Sequence, residues 1–323
     1  MTKVIAIIAG EPNSISSEII FKSWRLRKTY YHKPFIIIGS IDVLNSQMKK
    51  LKYDIKLKKI NNKFNIKELK KNTLPVYDVH YKQKKPFLKP STKSNKYIFK
   101  CFDVAINLIK SGKIYGLINC PIVKETLFKN KYQGVTEFLS KKAKKKDGEV
   151  MLIYNKKLSV APLTTHIPLN KISKKISKEK IIKKIKIINQ FYIKNFNKKP
   201  HIAALGLNPH NFSNSKIKEE EKIIAPAIKI LKKNKIKISG PLSPDTSFML
   251  YHKYNIDVIF GMYHDQVLTP FKALFKYNAI NITLGLPYIR ISPDHGVAKN
   301  ILGKGIANPR SLIESIKFFN YIK

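Results

Sequence analysis

Residues 257–272, DVIFGMYHDQVLTPFK, change character halfway along the stretch. An apolar run typical of a buried strand breaks at Gly261 and is soon followed by His264, Asp265 and Gln266. Polar side chains directly after a buried strand are expected at the ligand-binding edge of an α/β sheet. The stretch therefore predicts a strand followed by a helix, with functional side chains where the two meet.

The same alternation runs along the whole chain. Short apolar runs rich in Ile and Val alternate with amphipathic segments of helical length, which predicts an α/β fold with a largely parallel sheet covered by helices. Strands are predicted at residues 4–10, 34–40, 113–120, 149–154, 158–165, 201–207, 257–262 and 281–285. Helices are predicted at residues 16–30, 97–111, 178–196, 218–233 and 309–319. The polar, lysine-rich residues 49–95 are expected to form a peripheral surface region.

The composition indicates a folded globular protein. A chain of 323 residues with 43% apolar residues is long enough for one large or two ordinary domains. No apolar run approaches the roughly 20 residues of a membrane-spanning helix, so we expect a soluble, cytoplasmic protein that does not bind membranes. Cys101 and Cys120 form no CxxC pair, and we expect both to be buried thiols in a reducing compartment.

The net charge of +43 is the most conspicuous feature of the composition, and it suggests a polyanionic partner such as nucleic acid. Only four of the 63 basic residues are arginine, however, whereas proteins that read nucleic acids rely on arginine. Lys, Ile, Asn, Phe and Tyr all have codons rich in A and T, so a base bias of the genome explains the surplus. We therefore expect no nucleic-acid partner.

Histidines follow three of the predicted strands: His166, His210 and His264. The carboxyl ends of parallel strands share one edge of a sheet, so these residues can converge although they are far apart in the chain. A single histidine would be explained as well by a role in its loop. Three imidazoles with an open position form a recognised catalytic site for a divalent metal. Asp265 is expected either to orient the ring of His264 or to cap the following helix.

Eight motifs spread along the chain carry a family resemblance. They are PIVKETL at residue 121, TTHIPL at 164, LGLNPH at 205, EEEKIIAPAI at 219, GPLSPDTSF at 240, MYHDQ at 262, NITLGLPYIRISPDHG at 281 and GKGIANPRS at 303. Nearly end to end, the chain resembles the 4-hydroxythreonine-4-phosphate dehydrogenases, the NAD-dependent enzymes of pyridoxal phosphate synthesis. Neither GxGxxG nor GxxxxGK[ST] is present, so the sequence does not support a Rossmann or P-loop nucleotide site.

The resemblance implies a two-domain α/β/α architecture similar to the isocitrate and isopropylmalate dehydrogenases. The active site is expected in the cleft between the domains, and a homodimer is expected to share its active sites. We predict a first domain of residues 1–130 with 297–323 and a second domain of residues 131–296.

The resemblance also implies the reaction and its cofactors. The C3 hydroxyl of 4-phosphooxy-L-threonine is expected to be oxidised with NAD or NADP as hydride acceptor, and the β-keto acid then loses carbon dioxide to give 3-amino-2-oxopropyl phosphate. His166, His210 and His264 match the metal ligands of the family. Three imidazoles favour zinc, or cobalt, over magnesium, with manganese as a further possibility. The sequence assigns no cofactor-binding residues.

The substrate-binding positions of the family match Thr136, Lys272, Asn281 and Arg290. Cationic side chains are suited to holding the phosphate and carboxylate of the substrate. The alternative for Arg290 is a structural ion pair. Lys272 and Asp245 are both candidates for the group that removes the hydroxyl proton, and the sequence does not decide between them. Asp265 is predicted to act in catalysis through His264.

The chain departs from the family pattern in two places. Residues 10–18, GEPNSISSE, replace the usual GDPAGIGPE, so the loop must be rebuilt; Ser16 or Ser17 is expected to cap the following helix. Val135 replaces the usual histidine of GHTE and cannot donate a hydrogen bond to the substrate. A dehydrogenase of another phosphorylated hydroxy acid, such as threonate or erythronate phosphate, is therefore an alternative. A decayed enzyme is disfavoured because the histidines and substrate-binding positions are all retained.

Overall fold

The structure of the protein is a computed structural model. The structure describes residues 4–30, 33–69, 72–129, 131–132, 134–143, 148–212, 218–276 and 278–322. The chain divides into two compact units, the first formed by Met1–Val135 and Pro287–Asn320 and the second by Thr136–Leu286 and Tyr321–Lys323.

The described residues form twelve strands and ten α-helices. The strands are β1 (Ile5–Ile8), β2 (Phe35–Gly39), β3 (Leu57–Ile60), β4 (Leu74–Asp78), β5 (Gly116–Asn119), β6 (Val150–Tyr154), β7 (Ser159–Thr164), β8 (Ile202–Leu205), β9 (Ile238–Leu242), β10 (Val258–Tyr263), β11 (Ile280–Leu284) and β12 (Ile289–Pro293). The helices are α1 (Ser16–Arg25), α2 (Ile41–Lys50), α3 (Asn95–Lys110), α4 (Lys124–Phe128), α5 (Val135–Lys142), α6 (Lys178–Phe196), α7 (Ala225–Lys233), α8 (Pro244–Leu250), α9 (His264–Phe275) and α10 (Arg310–Tyr321).

The strands of the first unit run in the order β3-β4-β2-β1-β5-β12, and every pair is parallel. The central strands β1, β2 and β5 are buried at every residue. Strands covered on both faces are expected to be continuously apolar, as these Ile-rich runs are. The side chains of β1 and β2 pack beneath α3.

The strands of the second unit run in the order β11-β6-β7-β10-β8-β9. The pairs among β7, β10, β8 and β9 are parallel, whereas β6 is antiparallel to both β11 and β7. A buried cluster that includes Val160 of β7, Ala203 of β8, Ile259 of β10 and Phe271 of α9 forms a core of this unit. This core holds the three strands that precede the histidines.

All eight predicted strands and all five predicted helices are present, and the α/β fold class is confirmed. The prediction for residues 49–95 was wrong in part, because this region supplies β3 and β4. Strand β3 (LKKI) lies at the edge of the sheet, where lysines are favoured because they oppose pairing with other chains. Because two of its four residues are lysines, the sequence pattern did not predict this strand.

The predicted domain boundaries differ from the compact units of the structure. Residues 287–296 were assigned to the second domain, but they belong to the first unit. The physical reason is that β12 pairs in parallel with β5, a central strand of that unit. Arg290 therefore lies in the first unit, and the other predicted site residues lie in the second.

The N-terminal loop, residues 10–18, has no strained backbone at the two serines that replace glycines of the family pattern. Neither Ser14 nor Ser16 has a positive φ, whereas Gly10 keeps φ +74°, where a Cβ would lie 2.4 Å from the carbonyl oxygen of Pro121. The predicted helix cap was wrong, because α1 begins at Ser16 and its N-cap residue, Ile15, makes no side-chain cap. Instead, Ser14 Oγ accepts a hydrogen bond from Ser16 N at 3.1 Å.

Two expectations drawn from composition can be compared with the structure. No helix among the residues that the structure describes is both long and apolar enough to cross a membrane. Cys101 and Cys120 are buried free thiols, as predicted. Burial raises the pKa of Cys101 to about 12, so this thiol stays protonated and unreactive at neutral pH.

Candidate functional site

The three histidines follow strands that are neighbours in the second unit. Strand β10 lies between β7 and β8 and is parallel to both, so the carboxyl ends of all three meet at one edge of the sheet. His166 comes two residues after β7, His210 lies in the short turn Pro209–Asn211 after β8, and His264 is the first residue of α9 directly after β10. The structure thus confirms the predicted placement at strand ends.

Side-chain hydrogen bonds join these strand ends. Thr164 Oγ1 at the end of β7 donates to the carbonyl oxygen of Met262 in β10 at 2.8 Å. Gln266 bridges β10 and β8, because its Oε1 accepts from Met262 N and its Nε2 donates to the carbonyl oxygen of Gly206, both at 2.7 Å. Gln266, the third member of the His-Asp-Gln cluster, therefore has a positioning role that its sequence context did not indicate.

The backbone holds two of the histidines in a conformation that is rare for residues with a side chain. His166 has φ +42° and His210 has φ +52°. Such left-handed residues carry strain and concentrate at functional sites. The surrounding hydrogen bonds must therefore maintain both histidine loops.

The structure brings two of the three imidazoles together. The ring centres of His166 and His264 lie 5.8 Å apart, and two imidazole ligands of one tetrahedral ion place their ring centres about 5 Å apart. In the described part of the chain, no group of three or more His, Cys, Asp or Glu side chains is gathered closely enough to hold a metal ion. The three histidines thus follow neighbouring strands at one sheet edge, while the described residues hold no closed group of metal ligands.

Carboxylates flank two of the imidazoles at the same ring nitrogen. Asp265 Oδ1 lies 2.6 Å from His264 Nδ1, and Asp245 Oδ2 lies 3.7 Å from His210 Nδ1. A carboxylate at Nδ1 fixes the tautomer and leaves Nε2 available as a ligand, which is the usual second partner of metal-binding histidine. The donor set therefore fits a divalent metal in kind. Asp265 contacts the His264 ring and does not cap α9, which has no side-chain cap.

The environment of Asp245 favours its ionised form. The neighbouring Ser243 hydroxyl is the largest cause of a lowered pKa of this carboxyl; burial opposes it, and the His210 ring and nearby backbone N–H groups add smaller lowering effects. Asp245 is therefore a carboxylate at neutral pH.

A cavity of about 500 Å³ lies beside His210 and Asp245. This volume is within the range of small-molecule sites. Its wall is mostly apolar with a few polar groups, and it is formed by Leu207, Pro209, His210, Pro244, Asp245, Phe248, Tyr263, Gln266 and Pro270. The cavity joins the loop after β8 to the first turns of α8 and α9.

Three candidate substrate-binding residues of the second unit occupy different environments. Thr136 Oγ1 lies 3.1 Å from Thr283 Oγ1. Asn281 and Thr283 are two residues apart in β11, so their side chains lie on the same face of the strand. Asn281 Oδ1 is buried and has no hydrogen-bond partner among the described residues, so it is a free acceptor for a bound ligand. Lys272 lies on α9 with its side chain exposed. The sequence pattern did not indicate Thr283, because a threonine inside a strand is ordinary.

Arg290 belongs to the first unit. It is 3% exposed, and its Nε donates to Asn119 Oδ1 at 2.7 Å. The partner of Nε is thus the amide oxygen of the last residue of β5. Val135, the position that departs from the family, is 4% exposed and begins α5.

Comparison with known proteins gives a consistent result. Residues 31–319 match the family described as pyridoxal phosphate biosynthetic protein PdxA. A 4-hydroxythreonine-4-phosphate dehydrogenase from Sulfurihydrogenibium sp. is 38% identical over 99% of this chain and 98% of its own length. A protein from Oceanobacillus iheyensis, provisionally named D-threonate 4-phosphate dehydrogenase, is 34% identical over 97% of this chain and 96% of its own length.

Solved structures agree with these relatives. The 4-hydroxythreonine-4-phosphate dehydrogenase from Klebsiella pneumoniae superposes with a TM-score of 0.84 at 31% identity, covering 98% of this chain and 97% of that one. A β-decarboxylating dehydrogenase from Thermococcus kodakarensis superposes with a TM-score of 0.52 at 12% identity, covering 98% of this chain and 84% of that one, which shows a shared fold alone.

Proposed function

The chain belongs to the PdxA family of pyridoxal phosphate biosynthesis, whose relatives are named 4-hydroxythreonine-4-phosphate dehydrogenases, and we propose that it carries out this reaction. The C3–H bond of 4-phosphooxy-L-threonine breaks with transfer of hydride to NAD or NADP, and the hydroxyl proton passes to a base. The resulting 2-amino-3-oxo-4-phosphooxybutanoate loses carbon dioxide to give 3-amino-2-oxopropyl phosphate. The observation that carries the proposal is the placement of three histidines at the carboxyl ends of adjacent parallel strands.

We propose His166, His210 and His264 as ligands of a divalent metal. Three imidazoles favour zinc or cobalt over manganese and magnesium. A bound metal would supply Lewis acidity to the substrate hydroxyl and to the developing carbonyl. Asp265 holds the His264 ring through a hydrogen bond at Nδ1, whereas Asp245 lies 3.7 Å from His210 Nδ1, which is too long for a hydrogen bond. The protein thus controls which ring nitrogen of His264 points towards a ligand.

We propose that the substrate is held by Thr136, Lys272, Asn281 and Arg290. The free acceptor Oδ1 of Asn281 supports this assignment, since a buried oxygen without a partner is unfavourable until a donor reaches it. Arg290 and Lys272 supply the positive charge that a phosphate and a carboxylate require. The fork of Arg290 is already oriented by Asn119, so little side-chain entropy is lost on binding.

Lys272 and Asp245 remain the two candidates for the base that accepts the hydroxyl proton. The lowered pKa of Asp245 makes its carboxylate a weaker base, but an amine must lose its own proton before it can accept one, so neither residue is preferred. We compare kcat in Lys272→Gln and Asp245→Asn. The variant in which kcat falls far more identifies the base.

A second candidate substrate is D-threonate 4-phosphate. It is favoured by Val135, which cannot donate a hydrogen bond, and by the similarity to the Oceanobacillus iheyensis protein. Oxidation of threonate or erythronate phosphate uses the same hydroxyl chemistry. Comparing kcat/KM for the three phosphorylated acids decides between these substrates.

We further propose a homodimer that shares its active sites. Phe212 and Met249 are 69% and 77% exposed, and α8 packs against the turn that carries His210. Large apolar side chains exposed beside a candidate site are typical of a surface that another chain covers. Light scattering on the protein and on Met249→Ser measures the oligomeric state.

The free thiols support a reducing cytoplasmic location.

The proposed function is tested by reduction of NAD and NADP by the purified protein with 4-phosphooxy-L-threonine, before and after treatment with a chelator. We expect chelation to abolish turnover and added zinc or cobalt to restore it. His264→Ala should lose the metal-dependent activity, whereas His80→Ala, at an exposed histidine of the first unit, should retain it. Turnover that survives chelation and His264→Ala would refute the metal role. Turnover only with threonate or erythronate phosphate would refute 4-phosphooxy-L-threonine as the substrate.

A further inference from the structure

Three consecutive glutamates, Glu219, Glu220 and Glu221, precede α7 and have no role in the site described above. Glu219 and Glu220 are only 3% and 5% exposed, whereas the side chain of Glu221 is 69% exposed. The segment Glu220–Ile224 forms a π-helical turn, a feature that is rare and frequently found at functional sites. Two buried carboxylates in so basic a chain require an explanation.

Glu220 binds the loop that leads to His210. Its Oε1 accepts hydrogen bonds from the backbone nitrogens of Leu207 and Asn208, both at 2.8 Å. Its Oε2 accepts from Asn208 Nδ2 at 3.1 Å. Burial opposes ionisation, but the hydrogen bonds from Asn208 and Leu207 outweigh it and lower the pKa of Glu220. The side chain is therefore a charged anchor for the residues immediately before Pro209 and His210.

Glu219 joins the same loop to the segment that follows His166. Its Oε1 accepts a hydrogen bond from Ser173 Oγ at 2.5 Å, and its Oε2 accepts from Asn208 Nδ2 at 3.2 Å. Ser173 lies in the short turn Ser173–Lys175, a few residues after His166. The two adjacent carboxylates thus connect the polypeptide after β7 with the polypeptide after β8.

We propose that Glu219 and Glu220 are positioning residues that hold the loops of His166 and His210 in place for metal binding. This inference rests on the proposed function. The left-handed backbone of His210 is strained, and strained residues persist only where their surroundings hold them. Charge-assisted hydrogen bonds are about twice as strong as neutral ones, so an ionised glutamate suits this task. Gly206 permits the approach, since a Cβ there would lie 3.2 Å from Glu220 Oε1 and 2.0 Å from Asn211 Oδ1.

The test measures zinc affinity by equilibrium dialysis for the full chain and for Glu220→Ala, Glu220→Gln, Glu219→Ala and Glu221→Ala. We expect Glu220→Ala to weaken zinc binding by about 10- to 100-fold, the usual effect of removing an outer partner of a metal site. Glu220→Gln should recover much of the affinity, because an amide oxygen still accepts from both backbone nitrogens. Glu221→Ala is the matched control and should bind zinc as the unmodified protein does.

Hydrogen exchange of the amides in residues 205–212 gives a readout that does not depend on activity. We expect faster exchange in Glu220→Ala, a partial return in Glu220→Gln and no change in Glu221→Ala. If Glu220→Ala does not unfold cooperatively and is therefore not properly folded, the zinc affinity and amide exchange of Glu220→Gln and Glu219→Ala test the proposal instead. The proposal would be overturned if the variants of Glu219 and Glu220 had the same zinc affinity and the same amide exchange rates as the unmodified protein.

His210→Ala separates this inference from the proposed function. Weaker zinc binding in His210→Ala together with unmodified binding in Glu220→Ala would contradict only the positioning role. Unchanged zinc affinity in His210→Ala would contradict the metal role of His210 itself, and the positioning role with it.

Discussion

At the scale of single residues, the sequence located the histidines and named Asp265 as one possible partner of His264, but it did not indicate Asp245 beside His210. His166, His210 and His264 were predictable because each follows an apolar run, and strand ends of a parallel sheet share an edge. The left-handed backbone of two of them, and the carboxylates at Nδ1, depend on loop geometry that no local pattern encodes. Asp265 was recognised only as one of two alternatives, since the residue after a strand is equally suited to capping a helix.

Asp265→Asn tests how the orientation of His264 affects metal binding. The amide keeps the shape of the carboxylate but loses its charge, so it holds the imidazole less firmly through Nδ1. We expect zinc affinity and kcat to fall by about 10-fold, with little change in unfolding temperature because the side chain of Asp265 is 74% exposed. Asp54→Asn, at an exposed aspartate of the first unit, is the control. Equal zinc affinity in both variants would contradict the orienting role.

Glu11→Gln tests a buried carboxyl in the rebuilt N-terminal loop. Burial raises the pKa of Glu11 above its ordinary value of 4.5, although Asn13 N and Ser94 Oγ both donate hydrogen bonds to it. An acid with a raised pKa in the folded state stabilises the protein fully below the unfolded pKa, and this contribution is lost as pH rises through the folded pKa.

The glutamine cannot ionise, so the free energy of unfolding of Glu11→Gln should depend less on pH between pH 4.5 and neutrality. Relative to the unmodified protein, the variant should gain stability as pH rises. Urea titrations at several pH values measure the effect, with Glu125→Gln at an exposed position as the control. A pH dependence identical to that of the unmodified protein would show that Glu11 does not titrate differently in the folded state.

At the scale of elements, the sequence predicted the buried central strands and the longer amphipathic helices, and it missed several short elements. The Ile-rich central strands were recognisable because burial on both faces leaves a continuous apolar run. Strand β3 was missed because it is a lysine-rich edge strand, and β4, the next strand inward, was missed because it lies within a lysine-rich region of the sequence. The helix predicted at residues 218–233 is present, but its first turn is a π turn that helix propensity does not predict, and Glu219 and Glu220 at this turn hydrogen-bond to other loops.

Gln266→Glu tests the link between the ends of β10 and β8. The amide nitrogen of Gln266 donates to the carbonyl oxygen of Gly206, and a carboxylate oxygen in its place would be repelled by that carbonyl. We expect the free energy of unfolding to fall by about 1–3 kcal/mol, as for a buried polar group left without its partner. Gln190→Glu, at an exposed position of α6, is the control in the same urea titration. Equal stability of the two variants would show that the bridge does not hold the strand ends.

At the scale of the whole molecule, the sequence predicted a two-part chain but not where the parts divide. The boundary near residue 287 depends on the pairing of β12 with β5, between residues that are far apart in sequence. Such a pairing has no local signature, because β12 reads as a loop rich in Gly and Pro. The family resemblance did predict the reaction class, since it rests on long motifs spread along the chain, several of which contain predicted site residues.

The net charge of +43 predicts a stability that depends on salt. Like charges spread over a folded surface repel one another, and the repulsion is screened over a Debye length of about 10 Å at 0.1 M salt. The unfolding temperature should therefore rise between about 0.05 M and about 0.5 M sodium chloride. A variant with Lys50, Lys84 and Lys186 changed to glutamate should respond less, because these exposed lysines contribute to the repulsion. Falling stability with salt, or duplex DNA binding that persists at physiological salt, would instead favour a nucleic-acid role for this surface.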